Sequence, residues 1–142
     1  MPTGSPTANQ ARSNGPAVRI TFAFDKAVEW SARPEEFVRR AGLAMTACLA
    51  VHGKDEPDER FERFLPSIVA AATDGRNPVR KAASWALRQI GKRSRELHRR
   101  AIETAERIGT IDDRSARWIA RDVLHELRSD AVSERLAQTE GT

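Results

Sequence analysis

An apolar pattern with helical spacing occurs three times in this 142-residue chain, and it constrains the fold more than any other feature. The second copy follows the first at an offset of 41 residues, and the third follows at an offset of 37. The copies are Val38, Ala41, Gly42, Met45, Leu49; Val79, Ala82, Ala83, Ala86, Ile90; and Ala116, Ile119, Ala120, Val123, Leu127. Helix pairs that recur at about 40–47 residues are typical of HEAT or armadillo solenoids. The pattern therefore predicts an all-α fold, a HEAT-like α-α superhelix of about three helix pairs.

Prolines and acidic residues mark where the helices begin. Proline is well tolerated at the first helical position, and Pro34, Pro57 and Pro78 each stand before an apolar helical pattern. Either Asp112 or Asp113 can cap a later helix. No segment alternates apolar and polar residues over the length of a strand. The predicted helices cover about 20–32, 34–51, 57–72, 78–91, 94–108 and 112–128, with a short one from Ser129.

The N-terminal residues differ in composition from the rest. Residues 1–17 are rich in Pro, Gly, Ser, Thr and Asn and carry almost no large apolar side chains. Such a segment cannot bury enough surface to offset the entropy of ordering, so we expect it to be disordered. The predicted organisation is a disordered segment over 1–17, a helical repeat domain over 18–138 and a tail over 139–142.

Several classes of site lack the residues they need. Cys48 is the single cysteine, which excludes an internal disulfide or a cysteine-based metal site, and its apolar surroundings predict a buried, inert thiol. No histidine spacing fits a metal site and no glycine-rich phosphate loop is present, so we expect neither metal nor cofactor. No apolar run approaches the ~20 residues of a membrane helix, and no signal-peptide pattern occurs. These observations predict a cytoplasmic protein without membrane contact.

The position of Trp85 gives the first indication of function. With about 100° per residue, Trp85 lies about 240° from Val79, away from the apolar face and among Lys81, Arg88 and Lys92. The net charge of +4 does not establish nucleic-acid binding, but this clustering is informative. Applied to all three copies, the same register predicts one surface row of Arg40, Lys81, Trp85, Arg88, Lys92, Trp118 and Arg121.

Such a row combines positive charge with aromatic faces. Cations neutralise phosphates and supply most of the affinity for DNA, and aromatic rings can stack on bases or contact a cationic base. We expect phosphate contacts from Arg40, Lys81, Arg88, Lys92 and Arg93, and a cytoplasmic protein that binds DNA in this way would be nucleoid-associated. Two other interpretations remain open: an outward tryptophan can pack under a neighbouring helix, and a helical scaffold can bind a protein partner along the same surface.

Longer segments of the chain carry a resemblance. EEFVRRAGLAMTACLAVHGK, FERFLP, NPVRKAASWALRQIGKR and ARWIARDVLHEL resemble the DNA alkylation repair (AlkD-like) family of HEAT-like DNA glycosylases, over residues 26–137. The resemblance implies that a concave basic surface binds double-stranded DNA and that N3- or N7-alkylated purines are excised. It also implies that Arg40 is the cleft arginine and Trp85 one of two site tryptophans.

The resemblance is incomplete at its N-terminal side. The family's other tryptophan and its catalytic aspartate come from a Trp-Asp motif about one repeat upstream of the arginine. In this sequence that distance falls in MPTGSPTANQ, which contains neither residue. We therefore expect a chain that resembles the C-terminal half of the family and binds DNA with no complete catalytic site. An exposed repeat edge would favour self-association or binding of an N-terminal fragment.

Overall fold

The fold is all-α, as the sequence predicts. The computed structural model describes the backbone of residues 8–141 and the side chains of residues 17–138. Within this part of the chain every regular element is a helix, and none of these helices is long and apolar enough to cross a membrane. In chain order the helices are α1 (Ala8–Ser31), α2 (Glu36–His52), α3 (Asp58–Glu62), α4 (Leu65–Ala71), α5 (Asn77–Gly91), α6 (Arg95–Gly109), α7 (Arg114–Leu127) and α8 (Asp130–Gly141).

The helices form two layers of stacked pairs. Helices α2, α5 and α7, which carry the three copies of the repeated pattern, pack side by side in that order. Helices α1, α4 and α6 form the second layer, and each packs on the helix of the first layer that follows it. The predicted arrangement, one repeated helix with a partner helix before it, is confirmed.

Two helix boundaries differ from the predicted ones. Helix α1 begins at Ala8 rather than near residue 20, so it extends through residues 8–17 of the segment predicted to be disordered. Helix propensity alone does not explain the extension, because Gly15 and Pro16 disfavour a helix interior; extending a packed helix does avoid the cost of nucleation. Residues 1–7 of the predicted disordered segment lie outside the described residues.

The predicted helix over 57–72 is interrupted. It divides into α3 and α4, with a turn at Arg63 and Phe64. Pro66 explains the break, because it has no N–H to donate to the carbonyl of Glu62 and its ring crowds that carbonyl.

The N-cap of α7 is Asp113 rather than Asp112. Its carboxylate accepts a 3.0 Å hydrogen bond from the amide of Ala116.

The core is built from small and branched side chains. All five apolar positions of the second and third copies are buried, whereas in α2 only Gly42 of the five is fully buried. The pattern in α2 is thus the least buried of the three, and α2 lies at one end of the row α2, α5, α7. Gly42 allows α1 to approach closely, since a Cβ there would lie 2.8 Å from the backbone carbonyl carbon of Trp30.

Asp74, in the turn between α4 and α5, connects three helices. Its carboxylate accepts hydrogen bonds from Arg39 of α2 at 3.1 Å and from the Nε of Arg76 at 2.9 Å. Its backbone carbonyl accepts one from the hydroxyl of Ser115 in α7 at 3.0 Å. The hydrogen bond from the Arg76 guanidinium lowers the pKa of Asp74 to about 2, despite the opposing effect of burial.

Candidate nucleic-acid interface

A groove of about 590 Å³ runs between α2 and α5. Both helices present one continuous face to it, because its lining residues recur at spacings of three, four and seven positions. We call this cavity the α2–α5 groove. Its lining residues are Phe37, Arg40, Ala44, Asn77, Pro78, Lys81, Ala82, Trp85 and Arg88.

Trp85 is exposed on the α5 side of this groove. Its relative exposure is 36%, while its chain neighbours Ser84 and Ala86 are buried. The ring therefore lies away from the apolar core, in the orientation deduced from the helical register. A tryptophan left open to solvent on the wall of a groove has a ring face available for a ligand.

Arg40 and Lys81 carry the positive charge of the groove. They lie on facing helices, both are exposed, and both line the groove together with Trp85. Neither has a hydrogen bond or ion pair with another residue in the part of the chain that the structure describes. Two uncompensated cations beside an exposed aromatic ring form a surface complementary to a phosphate and a flat ring.

Arg88 also lines the groove, but acidic side chains of α7 already contact it. Its Nη1 donates a 2.8 Å hydrogen bond to Glu126, and its Nε lies 3.6 Å from the carboxylate of Asp122. Asp122 in turn accepts a 2.5 Å hydrogen bond from the hydroxyl of the buried Ser84. The charge of Arg88 is thus largely neutralised within the protein, and its predicted phosphate contact would have to compete with these bonds.

Lys92 is paired in the same way. Its ammonium contacts the carboxylate of Glu126, and its side chain is only 15% exposed. Burial tends to raise the pKa of Glu126, but the bonds from Lys92 and Arg88 outweigh it, so that the pKa is lowered. Lys92 lines a second hollow of about 580 Å³ at the other end of α5, which Arg135 of α8 also lines.

The predicted phosphate contact of Arg93 is not supported by its placement. Its guanidinium donates 2.9 Å hydrogen bonds to the carbonyls of Ala50 and Glu56, and it lies 3.9 Å from the ring centre of Phe61. Burial lowers the pKa of Arg93. The side chain therefore holds the end of α2 against the following loop, where it satisfies carbonyls that the helix leaves unpaired.

The third repeat contributes to other surfaces. Trp118 is half-buried against the core, and the guanidinium of Arg80 lies 4.5 Å from its ring centre. Arg121 is exposed, but it lines a separate hollow with His125 and Asp130 at the α7–α8 end. The continuous row predicted along three helices is therefore reduced, at the α2–α5 groove, to Arg40, Lys81, Trp85 and the partly neutralised Arg88.

For two residues of α2 the structure goes beyond the sequence predictions or corrects them. Phe37, which no prediction included, is 76% exposed and lines the groove one turn before Arg40. Its spacing of three residues from Arg40 is the signal that could have identified it. Cys48, predicted to be a buried thiol, is exposed, because it lies within about 20° of Phe37 on the helix face turned away from the core.

The lining of the groove limits its chemistry. Among the described residues that line it there is no aspartate or glutamate, and the residues with described side chains contain no group of three or more potential metal ligands. The groove thus presents cations, aromatic rings and one amide. This set can bind an anion and a flat ring, but it offers no carboxylate to activate water or stabilise a developing positive charge.

Comparison with known proteins identifies the family. A sequence model of the DNA alkylation repair enzyme family matches residues 19–137. No curated protein and no solved structure matches the chain. Because the matched segment includes nearly all of the residues with described side chains, the chain belongs to the DNA alkylation repair enzyme family, and the resemblance found in its sequence is confirmed.

Proposed function

We propose that this member of the DNA alkylation repair enzyme family binds double-stranded DNA, including DNA with alkylated purines, in the α2–α5 groove. The observation that carries the proposal is the placement of Arg40 and Lys81, both without a protein partner among the described residues, beside the exposed Trp85. The stacked helix pairs act as HEAT-like repeats that hold these groups on one rigid face. This role places the chain with the cellular DNA.

Electrostatics provide most of the affinity in this proposal. A phosphate that contacts Arg40 or Lys81 releases condensed counterions, so the affinity falls as the salt concentration rises. The groove has no acidic lining residue among those described, so its local potential is positive although the net charge of the chain is modest. These contacts are with the DNA backbone and position the duplex without reading its sequence.

Trp85 supplies the contact that favours an alkylated base. Alkylation at N3 or N7 gives a purine a positive charge, and the electron-rich face of an indole attracts cations. Stacking on the ring also tolerates any base, because every base has a π-face. Trp85 therefore supports binding of all DNA and favours a cationic base over a neutral one.

The proposal stops at binding and does not include excision by this chain alone. Hydrolysis of a glycosidic bond develops positive charge on the sugar, which a carboxylate stabilises while water attacks. The described lining of the groove contains no aspartate or glutamate that could do this. Release of N7-methylguanine from alkylated DNA by the purified chain would refute this part of the proposal.

A salt titration of duplex affinity tests the binding. We expect Arg40→Ala and Lys81→Ala each to reduce the salt slope by about 0.9, and Trp85→Ala to weaken binding without changing the slope. Arg99→Ala is the matched control, because it removes one exposed arginine that pairs with Glu96 and Glu103 on α6, in the other layer. Absence of duplex binding at low salt, or equal effects of Arg99→Ala and Arg40→Ala, would contradict the proposal.

A second candidate function has its own observation. On α1, Val18 and Phe22 are each 61% exposed and stand one turn apart, outside the α2–α5 groove. An apolar helix face of this kind favours self-association or a protein partner, in which case the chain is a scaffold. Sedimentation of the wild type and of Val18→Ser/Phe22→Ser over a range of concentrations tests this alternative: a monomer in both would exclude self-association through α1.

A further inference from the structure

We infer that Phe37 is a specificity-determining residue that forms the second aromatic wall of the α2–α5 groove and, with Trp85, selects a cationic purine over a neutral one. This inference rests on the proposed function, because it assigns a ligand chemistry to the same groove. It adds a residue on α2 that neither the helical register nor the family resemblance indicated.

The exposure of Phe37 is the first observation. At 76% it is the most exposed large apolar side chain among the described residues, and it lines the groove. A phenylalanine in this position contributes little hydrophobic stabilisation to the fold, although aromatic side chains usually stabilise proteins by being buried. Packing within the chain therefore does not explain it, whereas a ligand in the groove would cover it.

The surroundings of the ring are the second observation. Phe37 lies one turn before Arg40 on α2, and Trp85 lies one turn after Lys81 on α5, so each wall carries one aromatic ring and one cation. A nucleotide unit has the matching composition, with a flat base and a charged phosphate. Its phosphate would neutralise Arg40 and Lys81, which removes their repulsion of a positively charged base.

The absence of an internal cation on either ring is the third observation. Elsewhere in the described part of the chain, lysine or arginine lies over the rings of Phe22, Phe24, Phe61 and Trp118. Among the described residues, no such side chain lies over Phe37 or Trp85. Their ring faces are thus available to a cationic ligand, and a base that contacts both rings would gain a second such attraction.

Nucleotide binding isolates the contribution of the rings from that of the duplex. The probes are guanosine 5′-monophosphate and its N7-methylated form, which carry the same phosphate and differ in the charge of the base at mildly acidic pH. Trp30→Phe/Trp118→Phe leaves Trp85 as the single tryptophan, and its fluorescence reports binding. Calorimetry on the unmodified chain repeats the measurement, in case removal of the other two tryptophans weakens the fold.

We expect the methylated nucleotide to bind more tightly than the unmethylated one, and Phe37→Ala to reduce this preference by about fivefold or more. Phe37→Tyr should retain the preference, because the aromatic face remains. Phe22→Ala is the matched control, since it removes another exposed phenylalanine from outside the groove. Affinity for undamaged duplex should keep the same salt slope in Phe37→Ala, because no cation is lost.

The outcomes separate this inference from the proposed function. If the duplex binds through Arg40 and Lys81 but Phe37→Ala keeps the full preference for the methylated nucleotide, only the inference is overturned. The same conclusion follows if Phe22→Ala reduces the preference as much as Phe37→Ala. If neither nucleotide nor duplex binds the intact chain at low salt, both the inference and the proposed function are overturned.

Discussion

Helix α5 packs against α2 on one side and α7 on the other, and these two joints have opposite character. The α2–α5 joint opens into a groove with two unpaired cations and two exposed rings. At the α5–α7 joint the cations of α5 contact Asp122 and Glu126, and the ring of Trp118 is covered by Arg80. One joint is therefore suited to an external ligand, and the other is satisfied within the protein.

The difference comes from side chains placed on equivalent backbone positions. At the 37-residue offset between the second and third copies, Trp85 corresponds to Asp122, and Gln89 corresponds to Glu126. In the first copy the corresponding residues are Ala44 and Cys48, neither of which has a carboxylate. A repeat fold thus supplies the same geometry at each joint, and the presence or absence of two acids decides which joint remains open.

Alanine substitutions of the two tryptophans should show the largest difference in stability between the two joints. Trp118→Ala should lower the free energy of unfolding by about 2–3 kcal/mol, because the ring packs against the core. Trp85→Ala should lower it by less than about 1 kcal/mol, because that ring is exposed. Urea denaturation measures both effects. Equal losses would mean that both joints rely on their rings for packing and that the contrast is wrong.

Asp74 links α2, α5 and α7, the helices that form both joints. Asp74→Asn should therefore lower the free energy of unfolding by about 1–3 kcal/mol at neutral pH. The pKa of Asp74 is depressed from 3.8 to about 2 by Arg76, so its carboxylate stabilises the folded state above the unfolded pKa. This contribution is lost as the pH falls from about 4 through about 2.

Denaturation midpoints measured across that acidic range test the Asp74 prediction. The wild type should lose more stability on acidification than Asp74→Asn. Asp25→Asn is the control, because Asp25 is 60% exposed and its 3.4 Å pair with Arg63 lies at the surface. If the two variants behave alike, the network around Asp74 contributes no more than an ordinary surface ion pair.

Glu126→Gln should make the α5–α7 joint resemble the α2–α5 joint, with cations that have fewer acidic partners. Without this carboxylate, Lys92 loses the partner it contacts and Arg88 keeps only the longer contact with Asp122. We expect duplex affinity at low salt to rise about fivefold, with a steeper salt slope, because the freed cations can contact phosphates. An unchanged affinity would show that DNA does not reach this side of α5. Glu103→Gln, which removes an exposed acid on α6, provides the charge control.

Arg121→Ala should have the smallest effect, reducing duplex affinity by about twofold against about tenfold for Arg40→Ala at moderate salt. Arg121 is exposed, but its hollow at the α7–α8 end includes Asp130, and Asp122 and Glu126 lie on the same helix. Competition binding of the two variants measures the ratio. A loss as large as that of Arg40→Ala would extend the binding surface over all three repeats.

The sequence predicted what depends on local periodicity. A helical period places Trp85 and Lys81 on one face whatever the rest of the chain does, and their shared groove follows once α2 and α5 pair. The pairing of Arg88 with Glu126 could not be read in this way, because it depends on how α7 is rotated against α5. The same limit applies to Arg93: a run of basic residues suggests a surface, but tertiary packing turned this one toward backbone carbonyls.

The exposed thiol on α2 is a natural labelling site from which the orientation of a bound duplex can be measured. Cys48 is the single cysteine of the sequence, and it stands three turns after Phe37 on nearly the same side of the helix. A maleimide-linked spin label or fluorophore at this position requires no removal of other cysteines. Distances from that label to a second probe on a bound duplex would give the direction in which the DNA axis crosses the stacked helices.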